Sequence, residues 1–477
     1  MKNARWIWPC VLLVLALNIA NAVTATPIVA GSPHEVRVGR NVEIAGEGFP
    51  DRQVVEPAIA VDPRNPDIVV AGAQDLRLVA QGAHRWSGYY RSIDGGLTWS
   101  SSLLPGFPGD TSPQGLASPL RYFTGSGDDE VSFDRTGNLY YSGLVANHTD
   151  SGFVIGNSRT AFVARFANDG ADFAGATVLW QADYPKIAVD TSGGPNDGNV
   201  YLTFLGVPDQ GPAFTRSTDG GLSFSKPIPI PGGGLAIALT VDAVGNVYVA
   251  SIHCTGNSLH CTSGASATIR VAISSDGGLT FGRSVVAAAI KPDFSPLPGN
   301  GFNSITNPQI TADASGVYIV WDDSGTGDAN VLFTRSTDGG LSWSSPLTVN
   351  DLTEGQQFFP AIAVSGGIVS VAWYDGRLGQ LSNGTITSLD VFYAESRDSG
   401  SSFSKSFRVT TVSFDPNLVK SSDAFIIFQP FIGDYISIAA SPTAVHPIWS
   451  DNRNACDTVD PTFGCVDQDA YTAVVTP

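Results

Sequence analysis

One short turn sequence, Ser-x-Asp-x-Gly-x-Thr/Ser-Trp/Phe, recurs along this chain and restricts its fold more than any other feature. It stands at Ser92–Trp99, Ser217–Phe224, Ser274–Phe281 and Ser336–Trp343. A weaker copy runs from Ser396 to Phe403, and a degenerate one keeps Asn168, Gly170 and Phe173. In the four full copies and the weaker one the Asp (Asp94, Asp219, Asp276, Asp338, Asp398) can accept hydrogen bonds from turn amides, the Gly supplies a positive φ, and the aromatic anchors the turn under the next strand. Recurrence at intervals of roughly 50 to 75 residues marks a repeat architecture.

Each turn sits inside a larger unit. The stretch Pro57–Asp62 reads as a strand, Ile68–Gly72 as a second and Gly88–Arg91 as a third, with the Asp turn leading to a fourth. Opening strands of the same kind recur at Glu130–Asp134, Lys186–Asp190, Ala238–Asp242, Gln309–Asp313, Ala361–Val364 and Tyr435–Ala439. Seven units of four antiparallel strands describe an all-β, seven-bladed β-propeller. The seventh unit lacks an Asp turn and a fourth strand. Val36, Val38, Val42 and Ile44 alternate with polar neighbours, so residues 35–46 are expected to complete the last blade and close the ring.

The first residues read as an address. Lys2 and Arg5 precede the apolar run Val11–Leu17 and then Ala20-Asn21-Ala22, the order of a secretory signal peptide. The expected organisation is a signal peptide at 1–22, a short leader at 23–34 and a single propeller domain at 35–477. Localisation is then extracellular or periplasmic, with no membrane anchor. Four cysteines follow the signal in two local pairs, Cys254 with Cys261 and Cys456 with Cys465. In an oxidising compartment these read as two disulfides that staple loops. The formal charge of −18 argues against a nucleic-acid partner and favours cations or neutral, polar ligands. No phosphate loop and no Ser-His-Asp constellation stands out.

These Asp turns resemble the Asp boxes of sialidase-like, bacterial-neuraminidase-repeat propellers, over roughly residues 35–477. Gly433-Asp434-Tyr435, Trp449–Arg453 and Trp373–Arg377 are also similar to segments of secreted sialidase-like proteins. The resemblance implies a glycan ligand and, for an enzyme, glycoside hydrolysis. Sialidases carry an Arg in a Phe/Tyr-Arg-Ile-Pro motif on the first strand; aligned on Pro57, Val55 stands there with Glu56 beside it.

Strand order places the Asp turns on one face and the longer loops, 104–129, 252–267, 287–306, 376–389 and 452–469, on the other, where binding sites are usually built. The expected ligand face carries Glu56, Asp75, Arg77, Asp183, Asp323, Asp375, Arg377, Asp434, Asp451 and Arg453. Asp-x-Arg recurs three times, either as ligand-gripping groups or as ion pairs that pin loops. Sialidases use a Tyr nucleophile assisted by a carboxylate, which makes Tyr435 the matching candidate, with Asp129 and Glu130 as acid/base candidates. Asp322–Asp328 offers hard oxygens suited to Ca²⁺, the one cofactor expected. Asn147-His148-Thr149 and Asn383-Gly384-Thr385 match the glycosylation acceptor pattern. The expected role is that of a secreted, monomeric protein acting on or recognising extracellular glycans; the alternative is a non-catalytic platform for a protein or polysaccharide partner.

Overall fold

In the computed structural model, residues 36–45, 53–79, 83–148, 159–206, 211–255, 261, 265–293, 296–420, 429–456, 459–460 and 464–476 are described. The expected signal peptide and leader lie outside them. From Val36 onward the chain forms one unit, built almost wholly of antiparallel sheets.

Five of these sheets have four strands. The first contains Val54–Asp62, Asn65–Asp75, Trp86–Ser92 and Ser100–Leu103. Three others run in the same sequential order through residues 235–290, 309–348 and 357–408. A seven-stranded sheet spans the second and third repeats, because the 18-residue strand Asp172–Val189 serves both. Its first half pairs with Thr160–Ala167, its second with Val200–Gly206. This fusion was not anticipated, and its cause is local: Ala176-Thr177-Val178-Leu179-Trp180-Gln181-Ala182 contains neither Gly nor Pro to break the strand.

In the last four-stranded sheet, Ser437–Ala440, Val445–Asp451 and Asp469–Thr476 are joined by the N-terminal strand Arg37–Glu43. Val38 stands opposite Val475 and Val42 opposite Thr472. The first strands of successive sets touch one another in chain order, and Val54–Asp62 also touches Ser437–Ala440.

Packing between neighbouring sets is close. A Cβ on Gly72 would lie 2.6 Å from the Tyr141 hydroxyl oxygen, so only Gly admits that ring between the first two sets. Trp86, Trp321, Trp373 and Trp449 are fully buried. The repeated turns form one recurring hydrogen-bond pattern. Asp94 Oδ1 accepts from the amides of Leu97 (3.1 Å) and Thr98 (2.9 Å), and Gly96 N donates to Ser92 Oγ at 2.8 Å. Asp219, Asp276, Asp338 and Asp398 accept equivalent bonds from the amide four residues on, each at 2.9 to 3.0 Å. The hydroxyl and amide of Ser342 hold Asp338 at about 2, and those of Ser223 do the same for Asp219.

Candidate functional site

A bulge marks the entry to five of the first strands. Pairing skips between Val55 and Ala58, between Gly127 and Glu130, between Leu235 and Ala238, and between Phe358 and Ala361. At these skips Glu56, Asp128, Ala236 and Phe359 have φ between 48° and 56°, and Tyr184 has φ 52° at the matching place in the third set. Left-handed backbone at a non-glycine residue is costly, and a bulge re-aims the side chain it holds. The prolines Pro57, Pro185 and Pro360 directly follow three of these residues. A proline lacks the amide that a regular ladder would use, so it suits a bulge.

Four strand entries supply acids to one cavity of about 430 Å³. Glu56, Asp128, Asp183 and Asp434 line it together with Arg85, Arg159, His148, Tyr184 and Tyr435. Leu144, Leu205, Leu235, Ile305 and Phe431 add apolar lining. Glu56 is buried at 4% exposure and accepts a hydrogen bond from Gln74 Nε2, which also reaches Asp128 Oδ1 at 3.4 Å. Arg159 Nη1 pairs with Asp183 Oδ2 at 2.9 Å. Asn307 Nδ2 donates to the Asp434 carbonyl at 3.2 Å. Beneath the aromatic pair, Lys186 Nζ stands 4.3 Å from the ring centroids of both Tyr184 and Tyr435 and is ion-paired with Glu130.

Crowded acids in a water-poor pocket hold their protons. Burial first, and the charge of Asp128 next, raise Asp434 to about 7. Burial, then Asp434 and Asp128, push Glu56 well above the carboxylate range. Asp183 is raised by burial and by Asp128. Burial, with Glu56 and Asp128 adding to it, also lifts the Tyr435 phenol well above its ordinary value. The Tyr435 and Tyr184 hydroxyls and Asp434 Oδ1 are buried and have no hydrogen-bond partner among the described residues. A phenol held protonated in this way donates a hydrogen bond more readily than it attacks as phenolate.

The residues singled out from sequence thus divide. Glu56, Asp183, Asp434 and Tyr435 meet at the cavity. Asp129 is fully buried beside it, where it accepts from Ser87 Oγ at 2.6 Å and burial lifts it to about 8. Glu130 is engaged by Lys186. The three Asp-x-Arg pairs are internally joined: Asp75 with Arg77, Asp375 with Arg377 (2.7 Å) and Asp451 with Arg453 (2.6 Å). Each Asp is at most 1% exposed and accepts its own Arg's backbone amide at 2.8 to 2.9 Å. The Tyr90 hydroxyl and the indoles of Trp373 and Trp449 bind the same carboxylates at 2.6 to 2.9 Å. None of these six residues lines the cavity; Arg377 borders a separate polar hollow with Asp328 and Gln380.

Asp323 accepts the amides of Lys291 and Gly325, and Asp328 those of Gly355 and the Gln356 side chain. No group of three or more His, Cys, Asp or Glu able to hold a metal ion occurs among the described residues. Disulfides join Cys254 to Cys261 and Cys456 to Cys465, with Cα atoms 5.4 and 4.5 Å apart. No helix among the described residues is long and apolar enough to cross a membrane.

Sequence reasoning missed Arg85 and Arg159 as site residues. A signal existed: each immediately precedes a third strand, Trp86–Ser92 or Thr160–Ala167, in consecutive sets. Tyr184 was also missed, although Glu56-Pro57, Tyr184-Pro185 and Phe359-Pro360 form a repeated pattern in the sequence.

No family model matches the chain. A xyloglucanase from a Paenibacillus species is 25% identical over 306 residues, which are 60% of this chain and 26% of that protein. The chain therefore spans about a quarter of the length of that curated relative. Among solved structures, an ulvan lyase of a new polysaccharide lyase family, bound to -[GlcA(1-4)Rha3S]-, superimposes with TM-score 0.52. It is 13% identical, with 92% of this chain and 96% of that chain covered. A Hadza microbial sialidase gives TM-score 0.45 at 14% identity, with 91% of this chain and 68% of that chain covered. At 13% identity the likeness to the lyase is one of fold alone.

Proposed function

We propose that this protein is a secreted Asp-box propeller that binds glycans at the acid-lined cavity and hydrolyses a glycosidic bond there. Its four-stranded sets would be seven blades, the second and third sharing one long strand and the last completed by the N-terminal strand. The ring of contacts between first strands, closed by Val54–Asp62 against Ser437–Ala440, supports that arrangement. Both disulfides fit an oxidising, extracytoplasmic location.

The observation that carries the functional reading is the convergence of Glu56, Asp128, Asp183 and Asp434 from four sets on one cavity that also has apolar lining suited to a sugar's C–H face. Glycoside hydrolysis needs one protonated carboxyl to donate to the leaving oxygen and one carboxylate to act from the other side. Asp434, held near neutrality, suits the first role, and Asp128 the second. Tyr435 would orient the sugar by donating its hydroxyl hydrogen bond. The xyloglucanase and ulvan lyase likenesses agree with a glycan substrate.

A panel of fluorogenic neutral and acidic glycosides, assayed with the wild type and with Asp434→Asn, tests this reading. Hydrolysis that falls at least about a hundredfold in the variant supports it. Silence across the panel, with binding retained on a glycan array, leaves the second reading: a non-catalytic glycan platform. That reading draws on the Asp-x-Arg pairs, whose arginines are held by their own carboxylates.

A further inference from the structure

The cavity is short of positive charge. Arg159 is bound to Asp183, and Lys186, below the floor, to Glu130. Arg85 is then the lining cation set against Glu56, Asp128 and Asp434, with Asp129 buried behind them. A pocket with such a surplus has two ways to avoid repulsion: its carboxyls retain protons, or a cation enters. The Tyr435 side chain adds a second, independent mark of a missing ligand. It is 5% exposed and lines the cavity, yet its hydroxyl has no partner among the described residues. Among the acids, Leu144, Leu205, Ile305 and Phe431 offer apolar lining that an inorganic cation or a polyhydroxylated ion would leave unused. A ligand matching both kinds of lining has an apolar face and a charged amine.

Resting on the reading of this cavity as a glycan site, we propose that its ligand is a glycan bearing a free amine, a hexosamine unit whose ammonium sits among Glu56, Asp128 and Asp434. The sugar's C–H face would lie on the apolar side chains. Entry of the ammonium stabilises the ionised carboxyls, so binding expels protons to solvent.

The test is calorimetric titration of the full-length secreted protein with a β-1,4-linked glucosamine trimer, its fully N-acetylated counterpart and a glucose trimer of the same linkage. We expect the glucosamine trimer to bind at least about tenfold more tightly than either neutral trimer, since a charge-assisted bond is lost with the amine. Its heat should vary with the ionisation enthalpy of the buffer, as proton release requires. Asp434→Asn and, as a second variant should that one fold poorly, Asp128→Asn should each remove that preference. Equal or tighter binding of the neutral trimers at this cavity would overturn the amine inference and leave the glycan reading standing. Failure of all three to bind would overturn both.

Discussion

Replacing Lys186 by Met takes away a cation that is held from three sides. Its side chain is 7% exposed and ion-paired with Glu130, whose side chain is 23% exposed, and its ammonium stands 4.3 Å from two tyrosine ring centroids. Removing one partner of a buried pair typically costs about 3–5 kcal/mol, because the other charge is left without compensation. Water reaches Glu130 in part, which places its share near the low end. Two cation–π contacts add about 0.5–1 kcal/mol each. The sum is about 4 kcal/mol. For a unit running from Val36 to the C-terminus the unfolding entropy is on the order of 1 kcal/mol per kelvin, so the melting temperature should fall by about 4 °C. Scanning calorimetry of Lys186→Met, Glu130→Gln and the double variant measures it. The double variant should recover at least about a third of the loss, since two uncharged side chains leave no orphan. A Lys186→Met shift under about 1 °C, or strictly additive single losses, would refute the reasoning and return Glu130 to the list of groups available for catalysis.

Further outcomes follow from the other buried and turn-bound carboxyls. Asp322 is 1% exposed and raised to about 8 by burial and by Asp293, so its neutral form is favoured in the fold and stability is lost as pH rises toward that value. Asp322→Asn, which keeps an acceptor for Thr306, should flatten the fall in melting temperature between about pH 4 and 8; an unchanged slope refutes this. Asp338 and Asp219 are held at about 2, so their contribution is complete above about pH 4 and disappears as pH falls toward 2. Asp338→Ala should therefore lower the melting temperature at pH 7 and converge with wild type near pH 2, read by circular dichroism. Calcium titration should produce no heat at the Asp322–Asp328 loop, because Asp323 and Asp328 are already bonded to backbone and amide groups; saturable heat lost in Asp328→Asn would refute that.

The Asp-x-Arg repeats show where local pattern stops being informative. From sequence, three Asp-x-Arg segments at the ends of second strands read equally well as ligand-gripping groups and as pins. In the fold, Trp373 and Trp449 donate to the same carboxylates and Arg377 and Arg453 stack on Phe392 and Tyr471, so these are anchors inside the sheets. That outcome depends on which side of a strand end faces the neighbouring set, and spacing along the chain does not encode it. Glu56 and Tyr184 present the reverse case. Each lies where regular alternation would place a side chain in the ladder, and a bulge turns it to the cavity instead.

Strand alternation and the repeated Asp turn are properties of neighbours in the chain. They depend on φ preferences, turn hydrogen bonds and apolar period, so sequence by itself determined the antiparallel four-stranded sets and the strand that Val38 and Val42 add beside Val475 and Thr472. Which acids share a cavity is a different matter. Glu56, Asp128, Asp183 and Asp434 are scattered along the chain, and only packing of successive sets, with bulges at the first three, brings them to one cavity. Their charge states follow from that proximity and from the water it excludes, neither of which exists in the unfolded chain.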